Sequence, residues 1–325
     1  MFILNHNYMI FINNTITRYL MCIFLYVPFW LNGQQVALTS QYDLISSIQN
    51  PAYNGLNRTM RIDALSRVQW NNFPGTPTYT ALAFQTPLNR EFAVGGQFQS
   101  LTVGKFRSAS PLSLSTFTGD IAYHTQIAKG LFVSTGVRTG LMSFNMRLSQ
   151  LISDVPNDIS IAGNDYNFNS MVVGGGAMIY GKSFYIGASM PQIALVNDEL
   201  VNNVNLGYNA RPFYLINVGY IHEVKRDLAL KFTTQLRSYS GLPWQYDANL
   251  YVMYKDLISL GYGYRNTGSN SFIAHVKVNE YFYLVYMIEQ GYVYDKNTAF
   301  NSQEFGLRYD LDFNRQRVKI SPRYY

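Results

Sequence analysis

Lys225–Arg237 reads KRDLALKFTTQLR, and from Leu228 onward its side chains alternate. Leu228, Leu230, Phe232, Thr234 and Leu236 fall on one face, and Ala229, Lys231, Thr233, Gln235 and Arg237 on the other. A period of two is that of a β-strand, whose successive side chains point to opposite faces. One face suits lipid and the other suits water. The pattern recurs along most of the chain between turn signals, and each such strand needs a partner on both edges. On this reading an arginine at Leu230 or Phe232 meets lipid, whereas one at Thr233 meets a lumen and is better tolerated.

The composition agrees. Of 325 residues, 27 are Tyr and 21 are Phe, while only 14% are charged, against about a quarter in soluble proteins. Mean hydropathy is near zero, too low for a helical membrane protein. Many aromatics and few charges at average hydropathy suit a transmembrane β-barrel, which hides its apolar residues by alternation. The +6 formal charge is modest, and no basic run suggests nucleic acid.

Tyr19–Leu31 (YLMCIFLYVPFWL) has the length of a signal-peptide apolar core, with Arg18 before it and Gly33 after it as a cleavage point. The segment 1–33 therefore reads as a cleaved export signal, leaving Gln34 or Gln35 as the mature start; Met9 is an alternative initiator. A membrane anchor is the rival reading, but the run is short for about 20 spanning residues and contains Pro28. Cys22, the only cysteine, lies inside this run. A lipoprotein role is disfavoured because Met21 before it is not small, so the mature chain carries no disulfide and no thiolate chemistry.

No other run is long enough to span as a helix, but a closed barrel also pairs every backbone group in lipid. Alternation predicts about fourteen antiparallel strands, at 58–70, 78–88, 91–103, 114–128, 131–144, 170–180, 183–190, 212–222, 227–238, 245–254, 256–265, 271–278, 281–290 and 303–313. Tight turns at Asn89-Arg90, Lys129-Gly130, Gly181-Lys182, Lys225-Arg226, Lys255-Asp256 and Asn279-Glu280 alternate with longer links at 71–77, 104–113, 145–169, 191–211, 239–244, 266–270 and 291–302. Outer-membrane barrels have short periplasmic turns and long extracellular loops. The expected organisation is a signal at 1–33, a periplasmic N-terminal segment at 34–57, a transmembrane barrel at 58–313 and a periplasmic tail at 314–325.

Chemical motifs are sparse. Gly176–Ser183 (GAMIYGKS) matches a phosphate-loop pattern literally. That reading needs a helix to begin at the Lys-Ser, and the sequence that follows alternates like a strand, so a hairpin turn is expected instead. His6, His124, His222 and His275 are far apart, with no metal-ligand spacing, and no nucleophile elbow occurs. No catalytic, cofactor or metal residues are assigned and the chain is not expected to be an enzyme, although a barrel can assemble Ser and His from different strands, so missing motifs argue only weakly against catalysis. Inward positions carry charges of both signs: Arg61, Asp63, Arg67, Lys231, Arg237, Asp247, Arg265, Lys277, Arg308 and Asp310. They are expected to pair within a polar lumen.

Ahead of the first strand, Asn50-Pro51 and Asn54-Gly55 are turn dipeptides, and Trp70 ends that strand where an interfacial aromatic belongs. Asn50, Pro51, Tyr53, Gly55, Arg67 and Trp70 are the candidate docking residues. The dock is either the barrel's own lumen or a periplasmic partner, and a structural cap over the first strand is the plain alternative. The motif Asn50-Pro51-Ala52-Tyr53 with Gly55, then Arg67, Gln69 and Trp70, then Phe73, Gly75 and Pro77, then Thr86-Pro87, resembles the PorP/SprF family of type IX secretion outer-membrane proteins of Bacteroidota. Glu304–Phe313 and the ending Ser321–Tyr325 also look like that family. The resemblance implies an outer-membrane barrel in secretion or gliding, without cofactor or enzymatic activity. Some members work with the machine's periplasmic ring; others help export or hold one giant adhesin at the cell surface. Implied partners are membrane lipid and a secreted surface adhesin or other type IX secretion components. A passive or substrate-specific channel, or an outer-membrane hydrolase, remains an alternative.

Overall fold

In the computed structural model the chain divides into two units, Met1–Gly33 and Gln34–Tyr325. The structure describes residues 39–71, 75–104, 112–147, 149, 165–195, 212–239, 243–293 and 298–311, all in the second unit. The expected signal at 1–33 and tail at 314–325 lie outside the described residues.

Period-two alternation becomes fourteen strands: β1 (Met60–Val68), β2 (Thr78–Pro87), β3 (Phe92–Val103), β4 (Leu112–Ala128), β5 (Leu131–Met146), β6 (Tyr166–Gly181), β7 (Phe184–Leu195), β8 (Phe213–Lys225), β9 (Leu228–Tyr239), β10 (Gln245–Tyr254), β11 (Ile258–Arg265), β12 (Ser269–Lys277), β13 (Phe282–Val293) and β14 (Thr298–Leu311). Each pairs with its neighbours, and β14 returns to β1, so the sheet is a closed antiparallel barrel. Closure runs from Met60↔Leu311 to Val68↔Gln303. It leaves no free edge, which is what lipid demands of a spanning sheet. No described helix is long and apolar enough to cross a membrane.

The facing follows the sequence. In β9, Ala229, Lys231, Thr233, Gln235 and Arg237 are buried inside, while Phe232 is exposed on the outer wall. Phe98, Phe117, Ile121, Leu141, Leu260 and Phe272 are exposed in the same way, an apolar outer surface that suits only lipid.

Turn chemistry sets one mouth. Lys255 and Asp256 both have positive φ (51° and 54°), as a tight hairpin turn of the primed type requires. The Asn89 and Asn279 side chains each accept two backbone N–H groups of their own turns. Gly181-Lys182 is a hairpin turn between β6 and β7, so the phosphate-loop match has no helix behind it.

The opposite mouth is less uniform than expected. The links after β5 and β7 are long, covering 147–165 and 196–212. The links expected at 266–270 and 291–302 contract to 266–268 and 294–297, because pairing continues to Arg265↔Ser269 and Val293↔Thr298. The long links thus gather over β1–β8.

The expectation for Thr233 needs correction. Its side chain is fully buried and bonds the Tyr42 hydroxyl (3.0 Å), so a chain segment fills the space an arginine there would take.

Phe232→Arg is expected to lower barrel stability by about 2–4 kcal/mol, the cost of a cation near the bilayer midplane. Urea unfolding in phospholipid vesicles checks this, with Phe232→Leu near wild type. A second expectation concerns orientation. With Cys22 absent, a cysteine at Thr267 is labelled by an impermeant thiol reagent on intact cells, and cysteines at Lys129 and Lys182 are not. The reverse pattern inverts the topology.

Candidate functional site

Residues 39–56 are all buried, although they precede the barrel and carry many polar side chains. The sequence reading set 34–57 on the periplasmic side; the structure places 39–57 within the lumen. The segment makes one helical turn, α1 (Ser46–Gln49), then a 3-10 turn at Pro51–Tyr53. Asn50 caps that second turn, its Oδ1 accepting from Ala52 N (2.9 Å). Pro51 follows at the first helical position, where a missing N–H costs nothing.

A polar segment inside a barrel must find partners, since an unpaired buried polar group costs about 1–3 kcal/mol. The wall supplies them from most of its circumference. Asn249 donates to Ser40 O (3.2 Å), and His275 Nε2 meets Gln41 Oε1 (3.0 Å). Ser189 donates to Gln49 O (2.8 Å) and Ser134 to Ala52 O (2.8 Å). Asn50 Nδ2 reaches Ala177 O and Ala188 O, at 3.3 Å each. His124 Nε2 meets Asn54 O (2.8 Å), and Gly55 N donates to Gln85 Oε1 (2.8 Å). The plug is thus pinned to β2, β4, β5, β6, β7, β10 and β12 by these bonds alone.

Two charged centres hold it at different heights. In one, Arg138 donates to both Asp120 oxygens (2.7 and 2.8 Å), to Ser47 O (2.5 Å) and to Ile48 O (2.7 Å). Asp120 also accepts from Gln97 and from plug residue Asn54. In the other, Glu304 accepts from Ser40 N (2.8 Å), Gln41 N (3.0 Å) and Arg67 (2.5 Å). Arg67 bridges on to Glu289 (2.6 Å), and Glu289 to Arg265 (2.9 Å), which also pairs with Asp247 (2.7 Å). Lys231 binds plug residue Asp43 (2.8 Å), Arg308 binds Asp63 (2.7 Å) and Arg61 binds Asp310 (2.7 Å). Burial pushes the Asp43 carboxyl up, but Lys231, His275 and Arg308 together outweigh it and hold Asp43 below its ordinary value.

Space is as important as charge. A Cβ at Gly136 would lie 2.5 Å from Ala52 N, and one at Gly95 would lie 2.4 Å from Asn54 Oδ1. These wall glycines let the plug approach the sheet, by its backbone at Gly136 and by the Asn54 side chain at Gly95.

The candidate residues divide. Asn50, Pro51, Tyr53 and Gly55 lie together in the lower plug, where Tyr53 packs edge-on against Tyr185 (5.6 Å) beside Met178, Tyr180 and Ile221. Arg67 sits higher, at the Glu304 centre. Trp70 stands apart at the long-link mouth, exposed, with φ 58°, its ring against Phe300 (5.9 Å). Sequence reasoning did not single out Asp43, Asp120, Arg138, Glu289 or Glu304. The signal available for Asp120, Arg138 and Glu289 was a lone charge at an inward position of an otherwise uncharged strand, and for Glu304 its place on the same face as Arg308 and Asp310. Among the described residues, no three His, Cys, Asp or Glu groups gather to hold a metal ion.

A family model described as type IX secretion system membrane protein PorP/SprF matches residues 31–310. No match is found among curated proteins. Among solved structures, the toluene transporter TbuX of Ralstonia pickettii is similar, at 13% identity and TM-score 0.49 over 82% of this chain and 94% of that one. The toluene transporter TodX of Pseudomonas putida is similar at 12% and 0.48 over 86% and 95%. The outer membrane phospholipase A of Escherichia coli is similar at 12% and 0.36 over 84% and 98%. Likenesses of this size imply nothing about what this chain binds or turns over.

Removing one partner of a buried pair leaves the other charge stranded, at about 3–5 kcal/mol. Arg138→Leu is expected to cost that much in urea unfolding, and to expose residues 39–57 to added protease while the strands stay protected. Arg138→Leu with Asp120→Leu should recover part of the loss, since the stranded carboxylate is gone.

Proposed function

The chain belongs to the PorP/SprF family of type IX secretion system membrane proteins, and from that premise we propose that this outer-membrane barrel helps export a secreted partner adhesin or hold it at the cell surface. The observation that carries this reading is the plug. Residues 39–57 are hydrogen-bonded across the bore, so the barrel is suited to holding a partner rather than to conducting one.

On this reading Asn50, Pro51, Tyr53 and Gly55 act from inside. They keep the plug seated, and Arg67 keeps its upper end tied to Glu304. The seated plug stiffens the barrel, and the long-link mouth, where Trp70 is exposed, receives the partner. Tyr53 is itself buried, so its part in docking is indirect. No catalytic step belongs to the proposal.

The test compares the wild type with a strain lacking the chain and a Tyr53→Ala strain. Loss of the chain should remove the adhesin from the cell surface. Tyr53→Ala should leave a heat-modifiable, membrane-inserted barrel at normal level and reduce surface adhesin. Normal surface adhesin in the strain lacking the chain would sink the proposal. In planar bilayers the purified barrel should show no stable open-channel steps; steady large conductance would favour the channel reading instead. Turnover of lipid or ester substrates by the purified barrel would restore the hydrolase reading.

A further inference from the structure

Arg61, Arg67, Arg138, Lys231, Arg265 and Arg308 each hold a carboxylate oxygen within 2.9 Å. Arg237 does not. It is as buried as they are, at 3% exposure. No acid among the described residues pairs with it, and its Nε and Nη1 meet no hydrogen-bond partner. Its Nη2 donates to Gln235 Oε1 (2.7 Å). A buried N–H left without a partner costs free energy. The open part of the guanidinium also has a shape. Nη2 carries one N–H facing Nε and one facing Nη1, and Gln235 takes one of them. At least one two-pronged edge, Nε with Nη2 or Nη1 with Nη2, therefore stays open, and such an edge is what a carboxylate occupies.

The surroundings of Arg237 are apolar on one side and polar on the other. It faces inward two residues before the end of β9, about 7 Å along the strand from the long-link mouth. Its cross-strand neighbours are Leu215 on β8, which is buried, and Gln245 on β10. Tyr239 follows it on the same face, with its ring stacked on Phe213 (5.3 Å). The Tyr239 hydroxyl stands beside the guanidinium without a hydrogen bond of good geometry. On the other side of Arg237, Gln235 reaches plug residue Gln49 (3.4 Å), so the plug lies directly below.

Charge balance is the plain alternative. Around Glu304, the carboxylates of Asp247, Glu289 and Glu304 face the guanidinium groups of Arg67 and Arg265, and Arg237 offsets the remaining negative charge at a distance. That role does not use its N–H groups. Asp247, two residues from the cross-strand neighbour of Arg237, gives both its oxygens to Arg265 (2.7 and 3.2 Å).

We propose that Arg237, with the Tyr239 hydroxyl beside it, binds the carboxylate of a small acid that enters from the long-link mouth. Leu215 and the stacked rings of Phe213 and Tyr239 supply an apolar wall, so the ligand is a monocarboxylate with an apolar body. The plug directly below keeps the space shallow and the ligand small. The site goes beyond the secretion reading and does not depend on it.

The test titrates the purified barrel in phosphatidylcholine nanodiscs with para-fluorobenzoate and follows the fluorine NMR line width. The wild type should bind it saturably, and roughly ten-fold more tightly than para-fluorobenzamide, which keeps the ring and lacks the charge. Arg237→Gln should weaken binding of the acid roughly ten-fold and leave the amide unchanged. Tyr239→Phe should weaken the acid by a smaller factor. Arg237→Gln should also remain heat-modifiable and unfold in urea near the wild-type midpoint, because no paired carboxylate is stranded. No saturable binding, or equal binding of acid and amide, overturns the inference, and so does unchanged acid binding by Arg237→Gln. Loss of the barrel or a large fall in the urea midpoint of Arg237→Gln overturns it too, because the cation would then serve the Glu304 centre as its counter-charge. Displacement of para-fluorobenzoate by a long peptide ending in phenylalanine, but not by its C-terminal amide, would make a chain end the ligand and overturn the choice of a small acid.

Discussion

The carboxylate of Glu304 joins three parts of the chain. It lies opposite Arg67 in the β14–β1 register, at the seam where the barrel closes. Its two oxygens accept from the Arg67 guanidinium and from the backbone of Ser40 and Gln41. A fully buried carboxylate is tolerable only when paired and hydrogen-bonded. Closing the seam assembles Arg67 and Glu304, and the plug's N–H groups complete the set. Closure and plugging are therefore coupled through one charge.

A lower centre repeats this logic. Arg138 neutralises Asp120 and gives its remaining N–H groups to the carbonyls of Ser47 and Ile48 in the plug and of Pro191 in the wall. Buried ion pairs add little net stability compared with apolar packing, but breaking one is costly. Their contribution here is positional: a plug held by directional bonds at two heights has one seat. Small wall residues make that seat, since even a methyl group at Gly136 would strike the backbone at Pro51–Ala52.

With the plug seated in the bore, the two rims differ in their connections. The long links gather over β1–β8, and the tight turns of the other mouth carry charges of both signs, such as Arg90 with Glu91 and Lys255 with Asp256. Between them stands a neutral, hydrogen-bonded interior.

Alternation in stretches such as Leu228–Arg237 determined the strands, their facing and the barrel, because period two leaves only one way to keep apolar side chains in lipid and charges out of it. Turn residues such as Asn89, Lys255-Asp256 and Asn279 determined the tight mouth through their own backbone chemistry. The Asn50–Gly55 motif marked a built segment, and its residues proved to sit together. Its location was another matter. Nothing local distinguishes a polar segment lying outside a barrel from one lying within it; the difference is made by Asp120, Arg138, Glu304 and Gly136, which reach it from distant strands. The sequence also could not join Tyr53 to Trp70 or part them. Only closure of the sheet shows them at opposite mouths, because which inward side chains meet depends on register and curvature around the whole barrel rather than on spacing along the chain.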